Sequence, residues 1–132
     1  MKYIYTATFS PIEDGSGYYC RVPDLPGCIT TGKDVDDAID MITDAASLWL
    51  VGAEDDGLPI APPTPQKELS CDPGSFVSLI RVDTIQYRSQ IDTHSVRKNV
   101  SLPSWMATMA DKRKINCSQV LQDGLLKILE SA

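Results

Sequence analysis

The chain has 132 residues, 42% of them apolar and 23% charged, including two Trp, five Tyr and two Phe. That is room for one ordinary domain or two small ones with a modest core, and it excludes a large multidomain enzyme and a disordered chain. The net charge of −6 hides an asymmetry: residues 1–95 carry fifteen Asp and Glu against six Lys and Arg, whereas residues 96–132 carry three against six.

Residues 2–9, KYIYTATF, set Tyr3, Tyr5, Ala7 and Phe9 against Lys2, Ile4, Thr6 and Thr8, the period-2 alternation of a strand. Turn formers fill residues 11–17, so Tyr18 to Val22 is expected to return as the second strand of a hairpin. Pro23 and Pro26 interrupt it, and residues 28–31 resume extended structure up to Gly32. From Asp34 the period changes. Val35, Ala38, Ile39, Ile42, Ala45, Ala46 and Trp49 recur at helical spacing behind an N-cap at Asp34, predicting a helix that ends near Val51 and Gly52. Residues 53–75 hold five prolines and read as a loop, and Phe76 to Asp83 as a further strand. The unit is β-β-β-α-β, an antiparallel-rich sheet with a helix on one face. Residues 84–95 show no clear period and read as a linker.

Residues 96–103 alternate again, with Val96, Lys98, Val100 and Leu102 on one face and Arg97, Asn99 and Ser101 on the other. Pro103 stops this strand and suits a helix start. Trp105, Met106, Met109 and Ala110 follow at helical spacing, closed by the cations Lys112, Arg113 and Lys114. Asn116 with Gln119 three residues on reads as the cap of a second helix, whose apolar stripe is Val120, Leu121, Leu125 and Ile128. One strand and two short helices cannot bury that surface alone, so a partner chain is implied. The fold class is α+β, with a front domain at 1–83, a linker at 84–95 and a C-terminal domain at 96–132.

Four cysteines (Cys20, Cys28, Cys71, Cys117) form no CxxC pair, and His94 is the single histidine. This gives no zinc signature and no disulfide framework, so no metal and no cofactor are expected and the thiols read as buried or inert. No run approaches membrane-spanning length, and residues 1–9 lack the basic-then-apolar order of a signal peptide; a cytoplasmic protein without a membrane partner is expected.

Strand, helix and helix in under forty residues with a basic balance resemble the ribbon-helix-helix DNA-binding family, on the words Arg97-Lys-Asn-Val-Ser-Leu-Pro103 and Ile115-Asn-Cys-Ser-Gln-Val-Leu-Gln122. The resemblance implies a homodimer whose paired strands enter the major groove of double-stranded operator DNA. Arg97 suits a guanine edge, Asn99 an adenine edge and Ser101 either. The amides at Asn116 and Cys117 would hold a backbone phosphate, with Ser118 assisting. Lys98 shares the helix-covering face and must carry its amine to the rim. The turn Arg113-Lys114-Ile115 departs from the family in lacking its common glycine.

The string Gly17-Tyr-Tyr-Cys-Arg-Val-Pro-Asp-Leu-Pro-Gly-Cys28, followed by Gly32 and the helix opening at Asp34, resembles the front domain of HicB-family antitoxins. That resemblance implies a truncated ribonuclease-H-like fold that binds and silences a small basic HicA-like toxin, which cleaves mRNA with a histidine of its own, and repression of the chain's own operon. Resemblance and charge together nominate Asp24, Leu25, Pro26, Gly27, Asp36, Asp37 and Asp40 as toxin-facing. An acidic front domain would also steer a basic partner by electrostatics alone. A second interface between front domains would make the dimer a homotetramer.

Two other classes compete. A ribonuclease-H-type nuclease needs carboxylates converging on Mg²⁺, typically one on the first strand, and Lys2 to Phe9 has none. No catalytic residue is therefore expected. A ribbon-helix-helix repressor whose front domain senses a small molecule would use Tyr18, Tyr19 and Trp49 as its pocket.

Overall fold

The first strand forms over its expected length in a computed structural model that describes residues 1–69 and 72–131, with its alternation of burial interrupted at Thr6, which is buried on the face opposite Tyr5 and Ala7. Cys71 lies outside the described residues. Strand β1 (Lys2–Pro11) pairs antiparallel with β2 (Tyr18–Arg21), which pairs with β3 (Ile29–Gly32). Helix α1 (Val35–Asp56) follows, then a long loop with a 3-10 turn at Gln66–Glu68, and β4 (Phe76–Asp83) returns antiparallel to β1 from Lys2↔Asp83 to Phe9↔Phe76. The four-strand sheet has the order β3-β2-β1-β4.

Period 2 sorts the sheet's side chains. Tyr5, Ala7 and Phe9 of β1, Cys20 of β2, and Ile80 and Val82 of β4 are buried on one face. Helix α1 covers them with Ala38, Ile42, Ala46 and Leu50, a row at four-residue spacing. Val35 and Ile39, expected in that row, are exposed. Phe9 stacks on Phe76 at 5.0 Å, and Tyr18 meets Phe76 edge-on at 5.8 Å. Gly17 and Gly32 are obligatory: a Cβ on Gly17 would lie 2.1 Å from the Gly32 carbonyl oxygen, and one on Gly32 2.3 Å from the Cα of Ala38.

The cap at Asp34 forms as expected, its carboxylate accepting from the Asp37 amide at 2.7 Å, while Asp37 reaches back to the Lys33 amide at 3.0 Å. The far end differs from expectation. The helix runs through Gly52, which costs a helix only about 1 kcal/mol against Ala, and stops at Gly57, whose φ of 65° and the 2.9 Å bond from the Leu58 amide to the Ala53 carbonyl make a left-handed cap. Four further residues are helical because Ala53 is buried and Glu54 gathers three donors, described below.

The loop then has a geometric task. Helix α1 descends from the end of β3 to the start of β1, so a strand following at once would run parallel to β1. The loop between α1 and β4 brings the chain back up the sheet, and β4 can then descend antiparallel. On the way Ile60 packs on the core, and Tyr5 donates its hydroxyl to the Ala61 carbonyl.

The segment 84–95, expected to be a linker, instead begins with a helix, α2 (Thr84–Ile91). Its apolar period is weak, but Asp83 accepts from the amides of Ile85 (3.1 Å) and Gln86 (3.2 Å) as an N-cap, and Arg88 ties it to α1. The chain accordingly divides into a unit spanning Lys2–Arg88 and another beginning at Ser89.

The second unit contains α3 (Ser104–Lys112) and α4 (Cys117–Ser131). The strand expected at 96–103 is not formed within one chain, since those residues have no backbone neighbour to supply a ladder. Among its described residues none is buried.

Candidate functional site

Two surfaces gather the nominated residues, one in each unit. In the front unit, residues 23–27 form a tight knuckle closed by the Val22 amide to the Cys28 carbonyl (3.1 Å) and the Cys28 amide to the Leu25 carbonyl (3.0 Å). Gly27 sits at φ 81°, a left-handed position that suits glycine. Leu25 corrects the expectation of a contact residue: at 1% exposure its side chain belongs to the core. Asp24, nominated as toxin-facing, has its carboxylate engaged within the unit, reaching forty residues ahead to accept from the Thr64 amide at 2.8 Å and the Thr64 hydroxyl at 2.6 Å. It thereby fastens the proline-rich loop. Trp49 donates its indole N–H to the Pro26 carbonyl at 2.9 Å, leaving Pro26 and Gly27 as the knuckle's exposed tip.

Helix α1 presents the acidic residues. Asp36, Asp40 and Asp44 stand exposed at four-residue spacing with Met41 and Leu48 beside them, while Asp37 is half-buried and spent on the Lys33 amide. At about 100° per residue, Asp40 and Trp49 lie on opposite flanks of the helix. The knuckle that Trp49 holds and the acidic stripe are therefore two patches, not one. Asp44, which was not nominated, completes the stripe; its four-residue spacing from Asp40 was the available signal.

A polar cluster at the foot of the unit had no sequence signal. Glu54 accepts from the Tyr3 hydroxyl (2.7 Å), the Thr84 hydroxyl (3.1 Å) and Arg88 (3.0 Å), and Arg88 also bonds Asp55 at 2.8 Å. Burial pushes the Glu54 carboxyl up, but the bonds from Tyr3, Arg88 and Thr84 outweigh it and hold it below the usual carboxylate range. Burial, then the Glu54 carboxylate, push the Tyr3 hydroxyl up to about 12. Cys20 and Cys28 are buried free thiols, both pushed up by burial.

In the C-terminal unit the expected alternation of residues 96–102 survives without a ladder. Lys98, Val100 and Leu102 line an apolar groove of about 420 Å³ with Met106, Ile115 and Leu121, and Arg97, Asn99 and Ser101 are exposed and outside its lining. Asn116 caps α4, its side-chain oxygen accepting from the Gln119 amide at 3.1 Å. Cys117, a free exposed thiol rather than a buried one, and Ser118 follow in the first turn. The turn lacking glycine is made by Lys114 at φ 53°.

Tyr18 packs on the core and Trp49 is bound to Pro26, while Tyr19 points from the opposite face of the sheet, so the three rings do not line one cavity. Among the described residues no three His, Cys, Asp or Glu side chains are grouped to hold a metal ion, and no helix is long and apolar enough to cross a membrane.

The fold is that of a mixed α+β protein with a four-strand antiparallel sheet and four helices. Residues 5–126 match the model of the HicB-like antitoxins of bacterial toxin–antitoxin systems, and the chain belongs to that family. Its structure is similar to that in a toxin–antitoxin complex from Streptococcus pneumoniae (TM-score 0.62, 22% identity, covering 96% of this chain and 99% of that one). It is also similar to the antitoxin HicB of Burkholderia pseudomallei (TM-score 0.54, 27% identity, 96% and 98%) and to a chain of a HicA3–HicB3 toxin–antitoxin complex (TM-score 0.51, 21% identity, 61% and 98%). No curated protein sequence matches the chain.

Proposed function

We propose that this antitoxin binds and neutralises a small basic HicA-like mRNA-cleaving toxin with its front unit and represses its own operon with its C-terminal unit. The observation that carries the reading is the sorting of charge between two units of different build: an exposed Asp36–Asp40–Asp44 stripe flanked by Met41 and Leu48 on one, and exposed Arg97, Asn99 and Ser101 on the other. The family membership and the structures of toxin–antitoxin complexes support a toxin as partner. A row of carboxylates beside exposed apolar side chains complements a cationic RNA-binding surface and speeds its encounter. The front unit, with its strand order β3-β2-β1-β4 and its helix on one face, is read as a truncated ribonuclease-H-like fold used for binding and not for catalysis.

The C-terminal unit is read as half of a ribbon-helix-helix dimer. Its exposed Val100, Leu102, Met106 and Leu121 need a second chain to cover them, and that chain's strand would give residues 96–103 the ladder they lack. Pairing would direct Arg97, Asn99 and Ser101 to base edges, while the amides of Cys117 and Ser118 hold a phosphate. Asn116 serves as the cap of that helix.

Reciprocal variants test the division of labour. Asp36→Arg with Asp40→Arg should lose capture of the toxin encoded beside it and keep operator binding. Arg97→Ala with Asn99→Ala should weaken operator binding by roughly ten- to a hundredfold and keep the toxin, since each base contact is worth about 1–3 kcal/mol. Loss of both functions in either variant, or of neither, would refute the assignment.

A further inference from the structure

Helix α2 has little in its own sequence to keep it wound. It spans 8 residues, where a lone helix in water is still marginal at about 12–15. Packing adds little. Thr84 is its buried residue, Ile85 and Tyr87 are half-buried outside the core cluster, and Ile91 is exposed.

Its fastenings are polar. Asp83 caps the first turn, and Arg88 in the last turn donates to Asp55 at 2.8 Å, to Glu54 at 3.0 Å and to the Val51 carbonyl at 3.5 Å, all at the end of α1. The Thr84 hydroxyl meets the same Glu54 at 3.1 Å, and the Tyr3 hydroxyl of β1 holds that carboxylate from the other side at 2.7 Å. The Arg88 side chain is 35% exposed and that of Asp55 59%, so dissolved ions reach the pair and compete for it.

The place of α2 in the chain gives these fastenings a consequence. Arg88 is the last residue of the front unit, and beyond α2 the residues up to α3 form neither helix nor strand within one chain. We infer that α2 is an ionic strap: Arg88, gripped by Glu54 and Asp55, keeps it wound against α1 and so holds the tether between the two units short, and loosening that grip lengthens the tether. With α2 wound, the tether runs over residues 92–103 and reaches at most about 40 Å; with α2 unwound it runs over residues 84–103 and reaches about 70 Å. Unwinding stops at Thr84, because β4 is paired with β1 as far as Asp83. The strap therefore opens without dismantling the sheet, and it depends on neither the toxin nor the DNA reading.

Hydrogen exchange and small-angle scattering of the full chain test this without toxin or DNA. The amides of residues 88–91, bonded one turn back in a wound helix, should be protected in the wild type at low salt and exchange faster in about 1 M sodium chloride. Arg88→Gln keeps a long, helix-compatible side chain without the charge. At low salt it should speed exchange of those amides about tenfold or more, toward the rate of an unprotected chain, and enlarge the radius of gyration, while β1 and β4 keep their wild-type protection. Asp55→Asn, at an exposed position, should act in the same direction to a smaller degree. Protection of residues 88–91 that is indifferent to both variants or to salt, a loss shared equally by β1 and β4, or a radius unchanged when that protection is gone would each overturn the inference.

Discussion

Lys114 holds a φ of 53° in the turn between α3 and α4, a left-handed conformation that costs an L-residue roughly 1–2 kcal/mol and that glycine adopts freely. Lys114→Gly should therefore raise stability by about 0.5–1 kcal/mol, part of the relief being offset by the entropy of the unfolded glycine. A chemical-denaturation midpoint that falls would contradict this. Gly32 is the opposite case. A methyl group there would meet the Cα and amide nitrogen of Ala38 at 2.3 and 2.5 Å, and neither is a flexible side-chain end. Gly32→Ala should cost about 1–3 kcal/mol as β3 and α1 are forced apart, and an unchanged melting temperature would refute that close approach. Both positions were partly legible: the missing glycine at 113–115 and the present one at 32 stand in the sequence, but the φ and the contact that give them meaning come from tertiary placement.

At the scale of elements, the four strands of the sheet were the most legible part, because their period-2 alternation is bounded by turn formers, whereas the same alternation at 96–103 forms no strand within one chain. Phe76 to Asp83 is found with the expected bounds. Helix α1 overran its expected end because Gly52 alone is a weak stop and Gly57 a strong one. Helix α2 was illegible by periodicity, since it is held by Asp83 at its cap and by Arg88 at its side, not by an apolar stripe. Partners such as Glu54 and Arg88, or Asp24 and Thr64, are thirty-four and forty residues apart, and no local pattern announces them. The Glu54 cluster makes a pH prediction. A carboxyl held below its unfolded value contributes stability that is present above the unfolded pKa and lost as pH falls through the folded one. Glu54→Gln should cost about 1–2 kcal/mol at neutral pH, and the gap from wild type should close as the solution is acidified. Tyr3 works at the alkaline end: its contribution is present below about pH 10 and lost as pH rises through about 12. A gap between wild type and Glu54→Gln that widens in acid would contradict the arrangement.

For the whole molecule, charge asymmetry was readable from composition, and its division between two units is what gives it use. The nominated front-unit residues do not form one patch: Leu25 is core, Asp24 fastens the loop, and the knuckle and the acidic stripe flank α1 on opposite sides. That arrangement follows from Trp49 binding Pro26, which spacing alone does not reveal. If the C-terminal unit holds phosphates as proposed, operator affinity should fall steeply with added salt, and a flat response would contradict phosphate contacts. The central claim is toxin neutralisation by the acidic front unit. Its most direct test is growth of cells expressing the small basic protein encoded beside this chain, alone, with the wild-type chain, and with Asp36→Arg and Asp40→Arg together, each followed by a pull-down. Arrest by the small protein, relief by wild type with the two recovered as a complex, and loss of both relief and complex in the variant is the predicted result. A neighbour that is harmless, or one neutralised equally well by the charge-reversed chain, would contradict the account.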